Sequence, residues 1–300
     1  MTRVDDHPLY VMHAAMVDYS TWEKGVYSAS AEARNYPLAR EQSWACSLFS
    51  AAGDGENALY GRNFDWDYSP ALLLFNDPPD GYASVSVVDL TYLVPEDKVN
   101  QLTDLPLDQR KELLAALLWP FDGMNEHGLV VGMAAVAESQ IPQNPDSEWI
   151  TSLGIIREML DHTKNVTQAL DLMQSYNICL DGGPHLHYLI ADAAGHSALV
   201  ELYQGEWRVL PAKGSWQAAT NFTLSSIPGS ASAICARYDT LVNTLSKTQG
   251  KLTVNEAMTL LSTVKQDSTQ WSVVYGIIDR SVHIAMGRRY DDMHTFILEE

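Results

Sequence analysis

The 300-residue sequence predicts an α+β domain in which antiparallel sheets are packed beneath helices. Three features carry that expectation. Strand-like runs come in hairpins, helical periodicity is confined to a few stretches, and no glycine-rich phosphate loop follows a strand to open a βαβ unit. No internal repeat or low-complexity linker interrupts the chain.

Taken in order, a short apolar run from Leu9 to Met12 precedes Thr21 to Arg34, a polar and irregularly amphipathic stretch, so the leading segment reads as a unit apart. At Ser43 the character changes. Trp44 to Ser50 and Ala58 to Phe64 read as two strands around Gly53-Asp54-Gly55, a β-hairpin with Cys46 near its start. Strand-like runs recur at 72–75, 84–90 and 129–136. Two further hairpins are expected, 186–191 with 197–203 around Asp192-Ala193-Ala194-Gly195, and 272–278 with 281–286 around Asp279-Arg280. Helical spacing puts Leu113, Leu114, Leu117 and Leu118 on one side of 108–118 and makes helices of 153–160, 166–173 and 231–245. Thr253-Val254-Asn255-Glu256 is a capping box that opens a helix through Leu261.

Composition narrows the function. An apolar content of 46% with 19% charged residues belongs to ordinary globular proteins. The 19 basic residues against 38 acidic give a formal charge of −19, which repels both a nucleic-acid backbone and an anionic membrane surface and favours solubility. No nucleic-acid partner is expected. The start of the chain has no apolar leader core, and nowhere do enough apolar residues run together to span a membrane. The expectation is a soluble protein, cytoplasmic or secreted; a homo-oligomer is left open.

Only three cysteines occur, Cys46, Cys179 and Cys235, too few for a disulfide framework and without the paired spacing of a zinc site. Cys179 and Cys235 read as core residues. Cys46 stands out because its hairpin ends in a dense polar cluster, Gly61-Arg62-Asn63-Phe64-Asp65-Trp66-Asp67, where simple turn residues would suffice. A thiol needs a base or a positive neighbour to react at neutral pH. Histidine is one source, with His127, His185 and His187 as candidates. The pair His185 and His187 has no third ligand near it in sequence, so no metal is expected there. The other source is the α-amino group of Cys46 itself, whose ordinary pKa of about 7.7–8.0 suits proton transfer. That route requires Cys46 to be the first residue of a mature chain. The residues alone leave both bases open.

Cys46-Ser47-Leu48-Phe49 followed by Tyr60-Gly61-Arg62-Asn63-Phe64-Asp65-Trp66 resembles the opening of the choloylglycine hydrolase and penicillin V acylase family of N-terminal nucleophile hydrolases, the linear amide C–N hydrolases. That family starts its mature chain with cysteine and carries arginine 16 and aspartate 19 positions later, spacings that Arg62 and Asp65 reproduce. Gly123-Met124-Asn125-Glu126-His127-Gly128-Leu129 is similar to the family's G-M-N-E-x-G-L turn, Thr220-Asn221 falls where an asparagine completes the oxyanion hole, and Arg237 falls where a second arginine follows. Ala135 stands where bile-salt hydrolases carry an asparagine whose backbone N–H is an oxyanion donor.

The resemblance runs from Cys46 to the C-terminus and implies an αββα sandwich, with residues 1–45 as a propeptide-like segment and 46–300 as the catalytic domain. It implies a hydrolase of small N-acyl amides, activated by cleavage of Ala45–Cys46, that uses no cofactor. Cys46 would be the nucleophile, Arg62 and Asp65 would hold its amine and thiol, Arg237 would act electrostatically, and Asn221 with the Ala135 N–H would bind the oxyanion. An acyltransferase of the same fold, or a binding module with a structural Cys46, are the other readings.

Overall fold

A computed structural model describes residues 1–19, 45–104, 106, 110–180 and 183–299. The strands are β1 (Thr2–Asp5), β2 (Leu9–Ala15), β3 (Ala45–Ala51), β4 (Leu59–Asp65), β5 (Ala71–Asp77), β6 (Ser84–Asp89), β7 (Asp122–Asn125), β8 (Val130–Val136), β9 (Trp149–Thr151) and β10 (Asn177–Cys179). They continue with β11 (His185–Ala191), β12 (Ser197–Tyr203), β13 (Glu206–Pro211), β14 (Trp216–Ala219), β15 (Thr269–Gly276), β16 (Ser281–Met286) and β17 (Met293–Ile297). The longer helices are α1 (Gly154–His162), α2 (Val166–Gln174), α3 (Ala236–Thr248) and α4 (Val254–Thr263).

A nine-stranded sheet runs β1-β2-β5-β6-β7-β8-β11-β12-β13 and faces a six-stranded sheet ordered β14-β3-β4-β15-β16-β17. Helices α1 and α2 cover the outer side of the larger sheet, and α3 and α4 that of the smaller. This is the expected α+β sandwich of four layers, αββα. Strands β3, β4, β8 and β15 are buried almost end to end because each has a sheet on one side and a helix on the other. Two glycines allow close approach, one between the sheets and one within the smaller sheet. A Cβ on Gly132 of β8 would lie 2.7 Å from the Tyr60 hydroxyl across the sheet interface, and one on Gly61 would lie 2.4 Å from the Phe49 ring on the neighbouring strand.

The three expected hairpins form as β3–β4, β11–β12 and β15–β16, and the Thr253–Glu256 capping box closes with both of its hydrogen bonds. Two helices differ from expectation. Lys111–Leu118 is 3₁₀ rather than α-helical. Helix α3 starts at Ala236 instead of 231, since Ala233 has a φ of 67° and Cys235 is extended at φ −141° and ψ 118°, neither of which continues a helix.

The leading residues do not stand apart. Strand β2 lies parallel to β5 from Leu9↔Ala71 to Ala15↔Asp77, with Leu9 and Tyr10 fully buried. Tyr10 donates its hydroxyl proton to the Val99 carbonyl and Tyr19 to Asp161 Oδ2, each at 2.5 Å. Asp5 is paired with Arg289 and, at 2.7 Å, with His294 Nε2. The amphipathic stretch 21–34 lies outside the described residues.

Candidate active site

Cys46 is the second residue of β3 and is buried. The hairpin register sets Ala45 opposite Asp65 and Cys46 opposite Phe64, so the Asp65 backbone and carboxyl flank the Ala45–Cys46 peptide bond. The amides of the distant loop after β14 reach the same place. Cys46 N donates to Asn221 Oδ1 at 2.5 Å, and Asn221 Nδ2 donates to the Ala135 carbonyl at 2.8 Å. Arg237 at the start of α3 completes the ring: Nη2 donates to Asn221 Oδ1 at 3.0 Å, while Nη1 donates to the Cys46 carbonyl and, at 3.0 Å, to Ser47 Oγ. Two donors on one side and a carbonyl on the other allow only one orientation of the Asn221 amide.

Ala135 meets Asn221 through its carbonyl. In an antiparallel strand a residue's N–H and C=O leave on the same edge, so the Ala135 N–H faces the same side. Cys46, Asp65, Ala135, Asn221 and Arg237 are thus brought together. Arg62 is fully buried beside them, but its ion-pair partner is Asp122 of β7. Its Nη1 also donates to the Phe121 carbonyl at 2.8 Å, and its guanidinium lies 5.1 Å from the Phe64 ring centre. A surface ion pair between Arg62 and Asp65 does not form; both side chains are buried.

Burial pushes the Cys46 thiol up; the Arg62 guanidinium and the Asp65 N–H pull it down, and the Asp65 carboxylate pushes it up. Burial also pushes the Asp65 carboxyl up to about 7, against the Thr269 hydroxyl, Arg237 and Arg62, which favour the ionised form. Thr269 donates to Asp65 Oδ1, and Arg237 Nη1 lies 4.0 Å from Oδ2. An aspartate near its midpoint at neutral pH beside a buried thiol is arranged for proton transfer.

The histidine candidates lie elsewhere. His127 Nε2 is 3.8 Å from Glu126 and its ring is edge-on to Tyr82, His185 is exposed at the start of β11, and His187 Nδ1 lies 3.4 Å from Glu201. None of the three is hydrogen-bonded to Cys46. Cys235 is half-buried rather than core, as is Cys179, and it is the N-cap residue of α3 two positions before Arg237. Among the described residues, Asp5, Asp292 and His294 are close enough together to offer three metal ligands, but Arg289 already neutralises Asp5 there. Asp122 and Thr269 are site residues that sequence reasoning missed. Asp122 directly precedes the Gly123-Met124-Asn125 motif, which was a usable signal; Thr269 carried none.

Two facing, largely antiparallel sheets between helical layers are the architecture of the N-terminal nucleophile hydrolase class. Within that class the chain belongs to the acyl-coenzyme A:6-aminopenicillanic acid acyl-transferase family, which residues 120–287 match. The fold is similar to that of penicillin V acylase from Agrobacterium tumefaciens, with a TM-score of 0.55 at 17% identity over 80% of this chain and 83% of that one. It is also similar to a mutant conjugated bile acid hydrolase from Clostridium perfringens, with a TM-score of 0.56 at 15% identity over 85% of this chain and 92% of that one. A second variant of the same hydrolase matches at 14% identity, with a TM-score of 0.56 over 84% and 92% of the two chains. No curated protein matches. Among the described residues, no helix is long and apolar enough to cross a membrane.

Proposed function

We propose that this protein hydrolyses linear amides with Cys46 as the nucleophile, after the Ala45–Cys46 bond is cut. The observation that carries this reading is the contact of Asn221 Oδ1 with Cys46 N. That acceptor takes the single N–H of a peptide nitrogen before cleavage and would take an N–H of the free amine afterwards, so one scaffold serves both states.

In the precursor, the Cys46 sulfur attacks the Ala45 carbonyl carbon, and the oxyanion that forms there is met by the same donors later offered to substrate, Asn221 Nδ2 and the Ala135 N–H. Ionised Asp65 receives the thiol proton, the C–N bond breaks as the Cys46 nitrogen is protonated, and water hydrolyses the resulting thioester to release a carboxylate on Ala45. In the mature enzyme the freed α-amine takes the thiol proton, and the sulfur adds to the substrate's acyl carbon. The negative charge that develops on the carbonyl oxygen is met by the second N–H of Asn221 Nδ2 and by the Ala135 N–H, a contribution of about 3–4 kcal/mol per donor in comparable sites. Collapse expels the amine with the proton, and water cleaves the thioester. Arg237, on the Cys46 carbonyl, holds the nucleophile's backbone, and Arg62 favours the thiolate.

Residues 1–45 are the propeptide-like segment of this scheme, and 46–300 the catalytic domain. The pairing of β2 with β5 supports retention of the leading chain after cutting rather than release. Screening penicillin V, bile-salt conjugates, N-acyl homoserine lactones and N-acyl ethanolamines against the cut protein tests the activity; turnover by Cys46→Ala would overturn it. The matched family's name favours a second reading, acyl transfer to an amine. Added amine acceptors would then divert product away from free acid.

A further inference from the structure

The loop that carries Asn221 has an anchor of its own. Glu201 of β12 faces the inner side of the larger sheet and is 1% exposed. Its Oε1 accepts the Leu224 N–H at 2.6 Å and its Oε2 the Ser225 N–H at 2.8 Å, closing the short 3₁₀ turn Leu224–Ser226. That turn begins three residues after Asn221. His187, on the adjacent strand, has Nδ1 3.4 Å from the same carboxylate, and its Nε2 is buried with no partner among the described residues. His187 pairs in register with Ala134 of β8, the neighbour of the Ala135 whose carbonyl accepts Asn221 Nδ2.

A carboxylate is costly to bury unless its oxygens are filled. Here the two short bonds come from N–H groups of a loop, with His187 of the same sheet more distant at 3.4 Å from Oε1. Burial raises the Glu201 pKa, but the His187 and Ser225 hydrogen bonds outweigh it and leave the group below the ordinary range, hence ionised at neutral pH. Charge-assisted bonds to two successive N–H groups fix both the height and the direction of a turn.

We infer that Glu201, steadied by His187, is a positioning residue for Asn221: it clamps the 224–226 turn to the larger sheet and so sets the amide between Cys46 N and the Ala135 carbonyl. The inference rests on the proposed role of Asn221 in stabilising the oxyanion. Glu201 touches neither the thiol nor the scissile bond, so its effect passes wholly through the loop.

Self-cleavage at Ala45–Cys46 tests this without a known substrate. The full chain is made by cell-free translation, and the fraction cut is followed in time for wild type, E201Q, N221A and the double variant. E201Q puts an amide –NH2 against one of the two loop N–H groups. It should slow cutting about tenfold in the wild-type chain and about twofold or less beside N221A, because two residues acting through one amide are non-additive. A second pair avoids the buried site. L224A keeps the backbone donor, whereas L224P removes it at a position where the extended Thr223, at φ −80° and ψ 110°, accommodates a following proline. L224P should cut several-fold more slowly than L224A. E201Q cutting at the wild-type rate, equal slowing by E201Q in both backgrounds, or equal rates for L224P and L224A would overturn the positioning role. Where N221A is too slow to time, the Leu224 pair decides. Unimpaired cutting by N221A alone would instead refute the oxyanion reading on which the inference rests.

Discussion

Asn221 Oδ1 lies 2.5 Å from the backbone nitrogen of Cys46, although 175 positions separate the two residues. The same amide donates its Nδ2 to Ala135 on the opposing sheet. One side chain therefore ties the nucleophile's strand to the strand that bears the other proposed oxyanion donor, and Arg237 braces it from α3.

Replacing Asn221 by Ala should lower kcat by about 10²–10³ and leave KM near its original value, since the lost donor acts when charge develops on oxygen. Steady-state kinetics on the best substrate of the acyl-amide panel measure this. An unchanged kcat removes Asn221 from the mechanism.

Asp65 gives a pH dependence with a definite sign. Its carboxyl is neutral below about 7 in the uncut fold and ionised above it. Self-cleavage should therefore rise as pH passes through that value, and Asp65→Asn should be slow and flat across the range. Stability should move the other way. A carboxyl whose pKa is raised from 3.8 binds more protons folded than unfolded between that value and about 7, so its contribution to stability falls as pH rises through this window. Denaturant midpoints should show wild type losing stability relative to Asp65→Asn as pH rises through the window, whereas a constant difference between the two would mean that Asp65 titrates in its ordinary range.

Mass spectrometry should find wild-type protein divided at Ala45–Cys46, with both pieces co-eluting on native size exclusion and parting only in denaturant. Burial of Leu9 and Tyr10 in the larger sheet is the reason to expect co-elution. Cys46→Ala should stay at 33.3 kDa. A fully active wild type with the bond intact would end the N-terminal-nucleophile scheme and return attention to the histidines.

Asp122→Asn should destabilise the protein by about 3–5 kcal/mol, because it leaves the buried Arg62 charge without its partner. Chemical denaturation of the Cys46→Ala form, free of processing, measures it. Asp122→Leu combined with Arg62→Met should recover much of that loss; if the double variant is no more stable than Asp122→Asn, the pair contributes more than mutual neutralisation.

The local parts of this protein were legible in its sequence because local rules decide them. The Cys46 hairpin follows from two strand-like runs around a glycine turn, its register sets Asp65 opposite Ala45, and the Thr253–Glu256 box needs only one helical turn to close. What the sequence alone could not decide were meetings made by stacking. Arg62 lies three residues from Asp65 yet pairs with Asp122 on the other sheet, because burial leaves a guanidinium only the acid that faces it. Thr269 reaches Asp65 through the β15–β4 ladder, and β2 inserts beside β5 although its short apolar run resembles a stray segment. Glu201 reads in sequence as one acid in an ordinary strand; only the fold brings the 224–226 turn over it. Strand pairing and caps are set by neighbours along the chain, whereas the partners of a buried charge are set by whichever layer lands upon it, and that is a property of the tertiary structure.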